Sequence, residues 1–148
     1  MKKIKKKKEK MKAWRILLAA VAIQLFGMVF SMITCGWLFT WVYQLEPLNI
    51  WKPMEGGPGI DFFATTFVLH IIFVFVYVLL RNGLPGKNLV VKGLFYGLCV
   101  WAVGALPCLY MTLYFMTIAP TVVVYWAITG LIGTPISGVI ASSIYGKN

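Results

Sequence analysis

"GLFYGLCVWAVGALPCLYMTLYFMTIAPTVVVYWAITGLIGTPISGVIASSIYG", residues 93–146, holds 54 positions without one Asp, Glu, Lys or Arg. A helix rises ~1.5 Å per residue, so ~20 apolar residues cross the hydrocarbon of a bilayer. The tract is too long for one crossing and suits two. "TIAP", residues 117–120, supplies the break, because proline is tolerated at the first position of a helix, where its missing N–H costs little. The tract therefore reads as a third span near Lys92–Met116 and a fourth over 121–145.

Working outward, the uncharged runs Ile16–Leu45 and Phe62–Leu80 supply two more spans. The four are expected at about 16–43, 60–80, 92–116 and 121–145. "QLEPLNIWKPMEGGPGID" ends the first span in a loop over 44–59, since its prolines and glycines forbid a long helix. Trp37, Trp41 and Trp51 around it suit the headgroup zone. "RNGLPGKN" opens a second loop, 81–91. With 60% of its 148 residues hydrophobic and only 12% charged, the chain lies far from soluble domains, which carry ~25% charged residues. The expected fold is all-α: an integral membrane four-helix bundle, one domain over 16–145 behind a basic tail of residues 1–15. A signal peptide is the poorer reading of the start, because its apolar core would be ~7–15 residues and no A-x-A site follows.

Orientation follows from charge. Nine of the fourteen Lys and Arg residues fall in the first fifteen positions. With both termini cytoplasmic, thirteen of fourteen lie inside and Lys52 alone lies outside, as the positive-inside rule requires. The expected location is the cytoplasmic (plasma) membrane, multi-pass, N-in and C-in. The tail residues Lys2, Lys3, Lys5, Lys6, Lys7, Lys8, Lys10, Lys12 and Arg15 are expected at the headgroups of an anionic inner leaflet, at ~1 kcal/mol each. A nucleic-acid arm is the weaker reading, because no folded reader domain is attached.

Lipid tails are as apolar as leucine, so the helices must associate through close packing over small residues and through interhelical hydrogen bonds. Gln24, Gly27, Ser31 and Cys35 share one helical stripe. Gly93, Gly97, Gly104 and Cys108 share a second, and Gly130, Gly133, Thr134, Ser137 and Ala141 a third. These stripes are expected to pack helices within the chain, with a homo-oligomer or a larger membrane-complex partner as the alternative. Pro107 and Pro135 fall inside spans, where kinks that fit curved helices together are the usual outcome. "TGLIGTPISG" is the place to look for a moving part.

No catalytic constellation is legible: no nucleophile beside a histidine and carboxylate, no paired carboxylates, no Gly-rich phosphate loop. No acidic or basic residue sits at mid-span, and Asp61 reads as a helix-start residue. Cys35, Cys99 and Cys108 read as small buried residues. His70, the one histidine, lies near the middle of the second span, and intramembrane ionisable groups are functional by default. A neutral imidazole there has the chemistry to ligate haem, to bind a quinone oxygen or to relay a proton. No metal site is expected, since further ligands are missing. The bland role is a hydrogen bond to Thr66, Gln24 or a backbone carbonyl. Gln24 and His70 lie ~12 Å and ~16 Å from the same end of antiparallel spans, so they can meet. The sharper role is a Thr66–His70–Tyr77 stripe that, with Gln24, faces a cofactor.

"VVKGLFYGLCVWAVGALPCLYM", with the Gly-rich last span ending in "GVIASSIYGK", resembles a loose class of uncharacterised small four-span prokaryotic membrane proteins. The resemblance covers about residues 90–147 and implies no activity and no site residues. The functional expectation is a non-enzymatic accessory or scaffold subunit working by helix packing. A haem- or quinone-associated redox subunit using His70, and an oligomeric channel or carrier, are the alternatives.

Overall fold

The computed structural model describes residues 12–51 and 58–146. The tail residues Lys2 to Lys10, and Lys52 and Glu55 in the first loop, lie outside them. All regular structure among the described residues is helical. Four runs are long and apolar enough to cross a membrane: Ala13–Leu38, Ile60–Leu80, Leu89–Phe115 and Pro120–Gly146.

Helix α1, Ala13–Ile33, passes into a wide π turn, Thr34–Leu38, closed by the Phe39 N–H on Thr34 O at 2.9 Å. The helix stops short of the expected residue 43. Its place is taken by 3₁₀ turns at Thr40–Gln44 and Leu48–Ile50. The cause is local: six of the seven residues of "WLFTWVY" are aromatic or β-branched and of modest helix propensity, and Phe39 leaves helical geometry at φ −126°.

Helix α2 covers Ile60–Leu80, with Asp61 in the first turn, where its charge favours the helix dipole. The following turn contains Gly86 at φ 107°, a left-handed conformation that a Cβ disfavours. Asn88 then caps helix α3, Leu89–Val100, its side chain accepting the Val91 N–H at 2.7 Å, the satisfaction of a free helix-start donor that asparagine suits.

The third span is composite. After α3 comes a π turn, Trp101–Ala105, and then α4, Leu106–Phe115. The Leu106 N–H reaches five residues back to Trp101 O. This widening lies where the Pro107 ring would press on the carbonyl four residues before it. Pro107 is thus accommodated by an extra residue in one turn. Helix α5, Pro120–Gly146, opens on its proline and carries Pro135 inside it.

Helix α1 packs against α2 and α5, and α3 lies along α5. The α3–α5 pair meets backbone to backbone. A Cβ on Gly93 would come 2.6 Å from Gly138 O, and one on Gly97 2.5 Å from Pro135 Cα. Gly93, Gly97 and Gly138 are therefore consumed in intrachain packing. "TGLIGTPISG" forms part of this close contact. Gly130 rests against Trp101 and Gly133 against Phe30, while Ser137 turns its hydroxyl to Gly133 O. Gly27 and Gly104 differ from the expected packing role, for a Cβ on either would meet nothing within 4 Å.

The core falls into two blocks. Near the chain termini, Ile16, Ala19 and Ile23 pack with Val74, Tyr77, Val78, Tyr96, Ala141 and Tyr145. At the other end, Val42 and Ile118 pack with Val122, Val123 and Tyr125. Basic groups gather at the terminal end: Arg15 Nη1 lies 3.4 Å from Tyr145 O, Arg81 stacks over the Tyr145 ring and Lys92 Nζ donates to Arg81 O at 3.1 Å. Cations at the C-termini of α2 and α5 complement the helix dipoles.

Candidate functional site

Between the two core blocks the helices leave a cleft. One part, about 400 Å³, lies between α1, α2 and α5, with His70 and Phe73 on one side and Trp126, Thr129, Gly130 and Gly133 opposite. A second part, about 640 Å³, lies between α1 and the first half of α2. Gly27, Ser31, Cys35 and His70 border both. The absent side chain of Gly27 keeps the wall of α1 low where the two parts adjoin. Both volumes fall in the ~300–1,000 Å³ range of small-molecule sites, and both are mostly apolar in lining.

His70, Gln24 and Thr66 are brought together at this junction, all half-buried. The Thr66 hydroxyl lies 2.9 Å from Phe62 O and 3.1 Å from Phe63 O of its own helix. A carbonyl has no hydrogen to give, so Thr66 donates and keeps its lone pairs. Those accept from Gln24 Nε2 at 3.1 Å. Gln24 Oε1 is then the atom 2.7 Å from His70 Nδ1. Two acceptors do not bond, so Nδ1 carries the hydrogen, and in the neutral imidazole Nε2 retains a lone pair. The direction of every bond descends from the carbonyls of α2 that take the Thr66 hydrogen.

Tyr77 does not join them. It is 1% exposed in the terminal core block, edge-on to Tyr96 at 5.3 Å between ring centroids. Although it shares a helix face with His70, α3 and α5 close over that end of α2 and remove it from the cleft.

A second polar cluster closes the cleft at its far end. Cys35 Sγ lies 3.2 Å from Tyr125 OH and 3.5 Å from Tyr43 OH, and Trp126 Nε1 donates to Tyr43 OH at 3.0 Å. Tyr43 also meets the Trp51 ring edge-on. The π turn aims Cys35 here by adding a residue to its turn, an arrangement often found at functional positions. Cys35 is half-buried, whereas Cys99 and Cys108 are exposed on helix surfaces, which corrects the expectation of three buried thiols. Tyr43, Tyr125 and Trp126 carry no spacing signal in the sequence. The Ser31–Cys35 interval of four was the only legible trace. Among the described residues no three His, Cys, Asp or Glu side chains come together to hold a metal ion.

Compared with known proteins, the chain matches no family model, no curated protein and no solved structure, so the reading of its site rests on its own geometry.

Proposed function

We propose that this chain is a multi-pass protein of the cytoplasmic (plasma) membrane, with both termini cytoplasmic, that holds a lipophilic small molecule of the quinone class beside His70. It would serve as a non-enzymatic accessory subunit of a larger membrane complex. The observation that carries the ligand reading is the Thr66–Gln24–His70 bond chain opening on an apolar cleft: one oriented polar group in a greasy space of ligand size. A haem iron would use the same Nε2 lone pair.

Membrane insertion is supported by the outward placement of large apolar side chains. Ile60 is 87% exposed, Met32 78%, Trp37 76% and Phe115 75%, which water would penalise and lipid would not. The orientation is supported by Arg15, Arg81 and Lys92 gathered at the terminal end, with most of the remaining cations in the adjoining tail, the pattern of a cytoplasmic face. The accessory role is supported by α4, which packs chiefly on α5 and leaves Tyr110 and Tyr114 outward.

The test is purification from native membranes into lipid nanodiscs, followed by an absorption spectrum, a quinone assay of the solvent extract and an inventory of accompanying proteins. The expected result is a bound quinone-class molecule that is lost in His70→Ala, together with a partner chain. A Soret band would reassign the site to haem. A lone, colourless protein with an extract identical to empty nanodiscs would overturn the proposal.

A further inference from the structure

Apart from the second amide hydrogen of Gln24 and the thiol of Cys35, the polar side-chain atoms that line the cleft share a direction. The hydroxyl of Thr129 donates to Tyr125 O at 2.9 Å, that of Ser137 to Gly133 O at 3.0 Å and that of Thr34 to Phe30 O at 2.8 Å. Each hydrogen is tied back to a carbonyl of its own helix, so each oxygen offers lone pairs to its surroundings. Ser31 donates to Cys35 Sγ. His70 Nε2 is a lone pair for the reason already given, its tautomer fixed through Gln24 and Thr66. The Trp126 indole N–H, which borders the cleft, is taken by Tyr43 OH. Of the hydroxyls lining the 400 Å³ part, Thr134 alone has no fixed direction among the described residues.

A lone pair at His70 Nε2 in an apolar wall recognises hydrogen, not oxygen. A carbonyl group placed beside His70 Nε2 would set acceptor against acceptor and lose its own hydration without return. A hydroxyl placed there completes the chain Phe62 O, Thr66, Gln24, His70, ligand, with every bond running in one sense. We infer that the cleft selects neutral lipophilic molecules that donate a hydrogen bond, namely phenols and hydroquinones, over the oxidised carbonyl form of the same ring. This rests on the reading of the His70 cleft as a ligand site and adds the form of ligand that it takes.

The experiment uses the full chain in phosphatidylethanolamine–phosphatidylglycerol nanodiscs under argon. Three radiolabelled probes of equal tail length are compared: 2-decyl-1,4-hydroquinone, its dimethyl ether and 2-decyl-1,4-benzoquinone. Binding is taken as retention above empty nanodiscs. The hydroquinone is expected to bind at least ~10-fold more tightly than the other two, the factor that one buried hydrogen bond supplies. In His70→Ala and in Gln24→Leu the three affinities are expected to converge to within ~2–3-fold. Because either variant risks misfolding, the wild-type His70 side chain is also read by ¹⁵N NMR, which is expected to show Nδ1 protonated and Nε2 bare.

Equal binding of all three probes by the wild type, or tighter binding of the quinone, overturns the donor inference and leaves the cleft as a ligand site. A spectrum with the hydrogen on Nε2 does the same. Retention of none of the probes above empty nanodiscs overturns both the inference and the site.

Discussion

Replacing Gly97 by alanine tests the contact that holds the second half of the bundle together. The added Cβ would overlap Thr134 O, and would stand 2.5 Å from Pro135 Cα and 2.8 Å from Pro135 N. Carbon atoms rest at ~3.5–4.0 Å, so α3 and α5 must separate by about 1 Å. Such a gap forfeits a quarter to a half of each ~0.1–0.2 kcal/mol contact, which over some twenty atom pairs is ~1 kcal/mol. Backbone here is the obstacle, not a flexible side chain, so overpacking strain adds ~1–3 kcal/mol. Alanine returns up to ~1 kcal/mol through helix propensity. The net expectation is a destabilisation of about 1–3 kcal/mol. Gly27→Ala is the matched control: nothing lies within 4 Å of its Cβ. Propensity then acts alone, and stability is unchanged or rises by up to ~1 kcal/mol. The assay is reversible unfolding in mixed dodecylmaltoside–SDS micelles, followed by tryptophan fluorescence. Opposite signs for the two substitutions are expected. Equal effects, or a Gly97→Ala protein as stable as the wild type, would refute the backbone contact. Adding Gly93→Ala to Gly97→Ala should cost less than the sum, because helices already parted accept the second methyl more easily.

Gly27→Leu places a branched side chain at the junction of the two cleft parts and is expected to lower hydroquinone retention at least ~10-fold with no loss of stability in the same micelle titration. Thr66→Val removes the hydroxyl that orients Gln24, so discrimination between hydroquinone and quinone should fall towards unity, and Thr66→Ser should restore it. Asn88→Ala loses the 2.7 Å cap on Val91. It should destabilise by about 1 kcal/mol in the same titration, with Asn88→Asp close to wild type. A reporter enzyme active only outside the cytoplasm should be active when inserted between Lys52 and Gly57 and silent when fused after Asn148; the reverse would invert the orientation.

The sequence announced its helices through long runs without charge, because a run of that length and apolarity is the signature of a spanning helix, which satisfies its backbone by its own hydrogen bonds. It announced their ends less well. Both π turns were hidden, for one arises from a proline's bulk acting on the preceding turn and the other has no proline near it at all. The glycines show the same boundary between pattern and packing. Gly93, Gly97, Gly104 and Gly27 all fall on small-residue stripes, yet only the first two meet another backbone. A stripe says which face is narrow. Which neighbour arrives at it depends on how the helices pack, and for Gly104 also on the extra residue of the π turn that re-phases it against α3, and a count of residue spacing carries no such term.

At the site, the meeting of Gln24 with His70 followed from depth along antiparallel helices, while Tyr77 was misplaced because helical periodicity cannot tell which part of a face its neighbours cover. Least legible was the polarity of the bond chain, although it decides what the cleft can bind. Threonine, glutamine and histidine can each donate or accept, so the same three residues allow either sense. The sense is chosen where Thr66 turns its hydroxyl to the carbonyl four residues back along its own helix. From there each partner has one remaining choice, and the last of them leaves His70 with a lone pair facing an apolar space. Were Thr66 instead to accept from a backbone N–H, its hydrogen would turn to Gln24, the amide would reverse, and His70 would offer a hydrogen to a carbonyl ligand. The preference of the cleft for reduced or oxidised rings is therefore set in the backbone of α2, three side chains away from the ligand.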